Sequence, residues 1–138
     1  MRNKFIRFYL LFILTTGLAI ASRSQTPEYR AHIPFDFHAG SKTLPAGDYV
    51  IALVDFIESR NVLTIRETKN KGSQTIMFLP KSAESVRSSE IAFNRYDKKY
   101  FLAEIIAPTI YGEFSRTTAE TRLAETQNPE RIIIGLKK

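Results

Sequence analysis

The chain of 138 residues contains no cysteine. That excludes disulfides, thiolate metal sites and lipid attachment at a lipobox. It has no apolar run of the ~20 residues that a membrane-spanning helix needs. No serine stands in the Gly-x-Ser-x-Gly setting of a nucleophile elbow. Strand patterns do not alternate with helix patterns, which argues against a parallel α/β sheet. No internal repeat is visible beyond successive hairpins. An apolar core must therefore hold the fold. A mature chain of ~115 residues can build one, burying somewhat under ~70% of its unfolded surface. The length suits one domain.

The N-terminus differs from the rest. Arg2, Lys4 and Arg7 form a basic start, and Phe8 to Ala21 is an apolar run of signal-peptide length. Ala19-Ile20-Ala21 and Ser22-Arg23-Ser24 each offer a small-x-small cleavage pattern. A signal peptide is expected over residues 1–24, cleaved after Ala21 or Ser24. A single β domain over 25–138 then remains, located in the periplasm or outside the cell. Membrane contact is expected only through the signal before cleavage. Without Arg2, Lys4 and Arg7 the 20 basic residues fall to 17 against 14 acidic ones, a net of +3. That is mild and dispersed, and nucleic acid is not expected as a partner.

The centre of the pattern is Pro34 to Val54. Phe35 and Phe37 alternate with Asp36 and His38, the period of a strand with one buried face. Leu44-Pro45-Ala46-Gly47 reads as a tight turn, and Tyr49 to Val54 as an apolar strand. Taken in order, the first strand is expected over Tyr29–Phe37. Tyr29, Ala31, Ile33, Phe35 and Phe37 share one face; Arg30, His32, Pro34, Asp36 and His38 share the other. Pro34 marks it as an edge or bulged strand. A turn over Ala39–Thr43 uses Gly40 at positive φ. Strands follow over Asp48–Val54, Val62–Glu67, Gln74–Leu79, Glu90–Tyr96 and Tyr100–Ala107. Phe56 and Ile57 lie in a polar connection, and Lys81–Ser89 is a serine-rich loop. From about residue 113 the pattern changes. Thr117-x-x-Glu120 fits a capping box, opening a short helix to about Thr126 with Ala119 and Leu123 on one face. Arg131–Leu136 is a last strand candidate.

Several constellations could carry chemistry. His32, Asp36 and His38 share a strand face, but only Asp36 and His38 are near enough to cooperate on one metal ion. A solvated face is the preferred reading, and no metal or cofactor is expected. The carboxylates of Asp48, Asp55, Glu58 and Glu104 offer no spacing that selects a pair, so no enzyme is expected. Arg66, Arg95, Tyr96 and Tyr100 form the candidate binding surface. The two arginines could join Lys69, Lys71, Lys98 and Lys99 in a basic patch for an anionic glycan or lipid headgroup. The tyrosines could offer a stacking platform, although aromatics on paired strands more often fill a core.

A resemblance adds to this reading. Phe35, Phe37, Gly40, Lys42-Thr43-Leu44-Pro45-Ala46-Gly47 and Tyr49 form its first part. Leu63-x-Ile65-Arg66, Phe93-x-Arg95-Tyr96 and Tyr100-Phe101-Leu102 with Ile105 complete it. Together they resemble a family of small exported proteins typical of acidobacterial genomes, over roughly Ile33 to Ile110. The resemblance implies a compact exported β domain and carries over no catalytic residues. Members end in a charged helical tail rich in Arg and Glu. Here Glu113–Glu125 is a diluted version, and Ile132–Ile134 departs from it.

The expected fold is all-β: a small antiparallel sandwich or partly open barrel of six to seven strands, with one short C-terminal helix. The expected function is a non-enzymatic structural or protein-interaction module. Its partner would be another protein chain, joined by strand addition at the first or the Ile-rich last strand, or a second copy. The alternative is a small-molecule, lipid or glycan-binding module built on the Arg95–Tyr100 hairpin.

Overall fold

The computed structural model describes residues 26–54, 61–69, 72–82, 86 and 88–138. The expected signal peptide, Phe56, Ile57, Lys71 and the middle of the serine-rich loop lie outside these residues. Among the described residues no helix is long and apolar enough to cross a membrane.

Eleven strands and one helix follow in order: β1 Glu28–Ile33, β2 Phe37–Ala39, β3 Lys42–Leu44, β4 Gly47–Val54, β5 Val62–Glu67, β6 Ser73–Met77, β7 Leu79–Pro80, β8 Glu90–Tyr96, β9 Lys99–Ala107, β10 Ile110–Glu113, α1 Thr118–Ala124 and β11 Glu130–Gly135. They form two sheets. The small sheet has four strands in the order β1-β4-β5-β6. The large sheet has seven: β11-β8-β9-β10-β7, with β2 against β9 and β3 against β2. The large sheet curls into a half-barrel and the small sheet lies over it. One core joins them, with Tyr29, Ile33, Tyr49, Ile51, Leu63 and Ile65 from the small sheet and Phe37, Ile91, Phe93, Leu102, Ile105 and Ile110 from the large one.

The long runs read from the sequence are divided, and each division has a cause. Tyr29–Phe37 is two strands, because Pro34 has no N–H to give a ladder. Tyr29, Ala31 and Ile33 face the core as alternation requires, while Phe35 is only half-buried. After Pro34 the chain leaves the small sheet, and Phe37 pairs with Leu44 in the large one. The turn expected over Ala39–Thr43 is shorter. Gly40 takes φ +61°, and Lys42 already pairs with Ala39. Pairing is antiparallel throughout except for one parallel bridge, His38 to Phe101.

The run Gln74–Leu79 breaks at Phe78, where the chain crosses between sheets. Met77 pairs with Val62 in the small sheet, and Leu79 pairs with Glu113 in the large one. Phe78 turns inward at the crossing, over Gly112 of β10. The strand β10 was not foreseen. It pairs Ile110–Glu113 with Ala107–Glu104 in a hairpin turned at Pro108-Thr109.

The helix starts where expected. The Thr117 side chain accepts from the Glu120 N–H at 3.2 Å. Its packing face is not the expected one. Ala119 is exposed and Leu123 half-buried, whereas Glu120 is only 2% exposed. The Glu120 carboxylate does not return to the cap, as a full capping box would have it; it accepts from Asn94 on β8 at 2.8 Å. The last strand pairs along its whole length with β8. Ile132 and Ile134 pack against the core, and Leu136 is buried.

Candidate functional site

The structure does not bring Arg66, Arg95, Tyr96 and Tyr100 together. Arg95 lies on β8, opposite Tyr100 on one side and Glu130 on the other. Its guanidinium is 2.6 Å from the Glu130 carboxylate. Tyr100 is half-buried, and one face of its ring is taken by Phe35, stacked at 3.8 Å. Phe35 in turn meets the edge of Phe93 at 5.2 Å. Tyr96 is 1% exposed and belongs to a second small core, between the large sheet and α1. Its ring meets Phe101 edge-on at 5.8 Å, and His38 stacks on Phe101 at 4.6 Å. The Tyr96 hydroxyl points at Glu120, 3.5 Å away. Burial, then the charge of Glu120, pushes the Tyr96 phenol above its ordinary value, with Arg116 pulling the other way.

The metal candidates are also separated. His32 Nδ1 lies 2.7 Å from Asp48 Oδ1. His38 Nδ1 bonds Thr43 Oγ1 at 3.0 Å. Asp36 accepts from the Ala46 N–H at 2.8 Å, fixing the turn before β4. Among the described residues no group of three or more His, Asp or Glu is placed to hold a metal ion.

Two cations beside Glu104 of the large sheet are engaged. Lys81 reaches Glu104 at 3.2 Å and also Glu113, and these two carboxylates raise its pKa. Arg131 takes the other oxygen of Glu104, which is buried. This cluster ties the tail strand and the Pro80–Lys81 turn to β9, and it reads as structural.

Arg66 belongs to a different surface. On β5 the core takes Leu63, Ile65 and Glu67, which leaves Arg66 on the outer face of the small sheet. Register sets three residues in one row across that face: Arg30 on β1, Val50 on β4 and Arg66 on β5. Val50, between the two arginines in this row, is only 7% exposed. The neighbouring row holds His32, Asp48 and Thr68, with the Thr68 N–H and hydroxyl both bonded to the Asp48 carbonyl. Lys137 stands beside Arg30. Their backbones exchange hydrogen bonds of 2.7 and 2.9 Å, and these close the seam between the two sheets. Two shallow grooves meet at Thr68 on this face, one bounded by Arg30, His32 and Lys137, the other by Val50, Arg66 and Ser73. Among the described residues no carboxylate comes within ion-pair reach of Arg30, Arg66 or Lys137. The outward direction of Arg30 and Arg66 follows from strand alternation. Their adjacency depends on the strand order.

Comparison with protein-family models, with curated proteins and with solved structures finds no match to this chain.

Proposed function

We propose that the chain is an exported, non-catalytic β domain that works by pairing with another protein strand, at the outer edge of β6. The observation that carries this is the character of that edge. β6 ends the small sheet, and its five residues, Ser73 to Met77, include no charge and no proline. Such an edge carries no protecting charge of its own; the Lys42 ammonium reaches only its first carbonyl, that of Ser73, at 3.4 Å. Met77 is 62% exposed and Leu79 61%, on either side of the buried Phe78. They offer two apolar anchors beside a row of backbone donors and acceptors. The other edges are less open. Of the edges expected from the sequence to receive a partner, β1 is bridged at Arg30 to Lys137, two residues past the end of β11. β3 carries Lys42, and β7 is two residues long. Export is supported by the basic start, the apolar run and the small-x-small sites of the N-terminus, and by the resemblance to small exported β domains.

A native mass spectrum of mature chain purified from the periplasm tests this. Dimers or higher species that Met77→Lys with Leu79→Lys converts to monomer, at unchanged melting temperature, support pairing at β6. Assemblies that survive the double variant place the contact elsewhere. If the native chain is a bare monomer, photo-crosslinking from position 77 in the producing cell decides. An adduct to another chain supports the reading, and its absence overturns it.

A further inference from the structure

The outer face of the small sheet presents a second surface, independent of the β6 edge. We infer that it binds a linear acidic polysaccharide, through Arg30, Arg66 and Lys137. The first argument is a contrast in charge. On and beside the large sheet Lys81, Arg95 and Arg131 each have a carboxylate partner, and the cations without one, Lys42 and Lys99, stand singly at hairpin ends. On the small sheet Arg30, Arg66 and Lys137 have none among the described residues. The acidic groups facing outward there are Glu28 and Asp48, and Asp48 is held by His32; Glu67 also lines the groove beside Arg66 but is only 5% exposed. The face is thus a cationic strip whose charges are uncommitted, which favours an anionic partner.

Spacing is the second argument. Arg30 and Arg66 stand in one cross-strand row with Val50 between them. Two strand spacings separate their backbones, about 10 Å. Lys137 prolongs the strip past β1 along the groove at the seam. Three cations along one line suit an extended chain with repeated carboxylates or sulfates better than a single small anion. Guanidinium groups supply paired donors to such groups.

The third argument is what the face omits. It presents no aromatic side chain among its described residues; Tyr29 and Tyr49, the tyrosines of β1 and β4, point into the core. Single-stranded nucleic acid is usually held by stacking on aromatics. Within the strip itself no apolar side chain stands free to enter a lipid surface: Val50 is only 7% exposed, and the exposed Met77 of the same face pairs with Val62, two rows away from Arg66. A flat, grooved, cationic sheet face without aromatics fits an acidic sugar polymer best.

Binding of mature chain to polygalacturonate, to heparin and to neutral dextran, followed calorimetrically at low and physiological salt, tests this. Binding to the acidic polymers and not to dextran is expected. It should weaken with salt as the screening length contracts to ~8 Å. Arg30→Gln, Arg66→Gln and Lys137→Gln should each lower affinity about threefold, and Arg30→Gln with Arg66→Gln roughly tenfold. Melting should stay unchanged, because these side chains are exposed and the Lys137 bridge uses backbone atoms only. Lys98→Gln, at a distant hairpin tip, should have no effect. Equal binding by the double arginine variant overturns the inference, as does an equal loss in Lys98→Gln or no binding to either acidic polymer. Tighter binding to single-stranded DNA or to anionic vesicles overturns the ligand class. A Met77→Ser, Leu79→Ser variant, which removes the apolar anchors of the β6 edge without adding charge, should bind the polymers as the native chain does, so this inference and the β6 reading fail separately.

Discussion

Replacing Glu120 with alanine should cost more than any other change on the helix. The side chain is buried between α1 and β8, and it accepts from Asn94 Nδ2 at 2.8 Å. The Tyr96 hydroxyl is 3.5 Å away, at the limit of a hydrogen bond. A bond to a charged acceptor contributes about 1.5–3 kcal/mol, and a buried donor left unpaired costs about 1–3 kcal/mol. These overlap, since both describe the same Asn94 contact. Alanine returns a few tenths of a kcal/mol in helix propensity. The net loss should be about 2–3 kcal/mol. For a domain of this size about 4 °C accompanies each kcal/mol, so melting should fall by roughly 10 °C. Glu120→Gln keeps the shape and an acceptor for Asn94, and should cost about 1 kcal/mol or less. Asn94→Ala combined with Glu120→Ala should lose less than the sum of the two, with a coupling of about 1 kcal/mol. Thermal and urea unfolding followed by circular dichroism measures the native chain, the three single variants and the double variant. If Glu120→Ala melts with the native chain, the carboxylate holds nothing. If glutamine is as damaging as alanine, the hydrogen bond is not the cause.

Two further predictions test the core. A Cβ on Gly112 would stand 2.6 Å from the Leu79 carbonyl oxygen, so Gly112→Ala must part β7 from β10. It should destabilise by about 2 kcal/mol or more. Gly135→Ala, where nothing lies within 4 Å, should change stability by less than about 0.5 kcal/mol; equal effects at the two sites would refute the packing argument. Tyr49 has its phenol pushed from 10.0 up to about 12, chiefly by burial and then by Glu67 and Asp36. A folded pKa above the unfolded one means the contribution is complete below about pH 10 and disappears between about pH 10 and 12. Tyr49→Phe, which also loses the 2.5 Å bond to the Pro45 carbonyl, should be less stable at neutral pH. The gap from the native chain should narrow across that alkaline window; a gap constant with pH would show the phenol's ionisation is not linked to folding.

Local chemistry was legible and long-range order was not. The bounds of β5 and β8 follow from alternation between turns. Thr117 as a cap and Gly40 at positive φ follow from residue type. Pro34 announced an irregular strand, but the transfer of Phe37 to the other sheet depends on β3 and β9, which lie far along the chain. Glu120 reads from the sequence as a capping-box residue, and nothing in that position marks it for burial. Its burial rests on Asn94, whose side chain has no signature of its own. β10 escaped because Ile110-Tyr111-Gly112-Glu113 is short and contains a glycine, a weak strand pattern on propensity. The same limit separated the candidate residues. Arg66 was legible as an outward cation on β5, but its row-mate Arg30 becomes a neighbour only through the order β1-β4-β5. Tyr96 reads from the sequence either as a stacking platform or as core filling; it is buried, because the segment after β10 returns to cover it.

The seam at Arg30 and Lys137 bears on how the domain forms. It joins a residue near the start of the described chain to one at its end, so its loop-closure entropy is among the largest in the fold. Hairpins such as β8–β9 and β4–β5 can form early, since their partners are close in sequence. The seam can close only after both sheets exist. It should therefore form late and open first, as a separate unit of lower protection. Amide exchange at Arg30 and Lys137 would then run ahead of exchange at Ile51 and Ile105, and the sheets would part along one line before either lost its own strands.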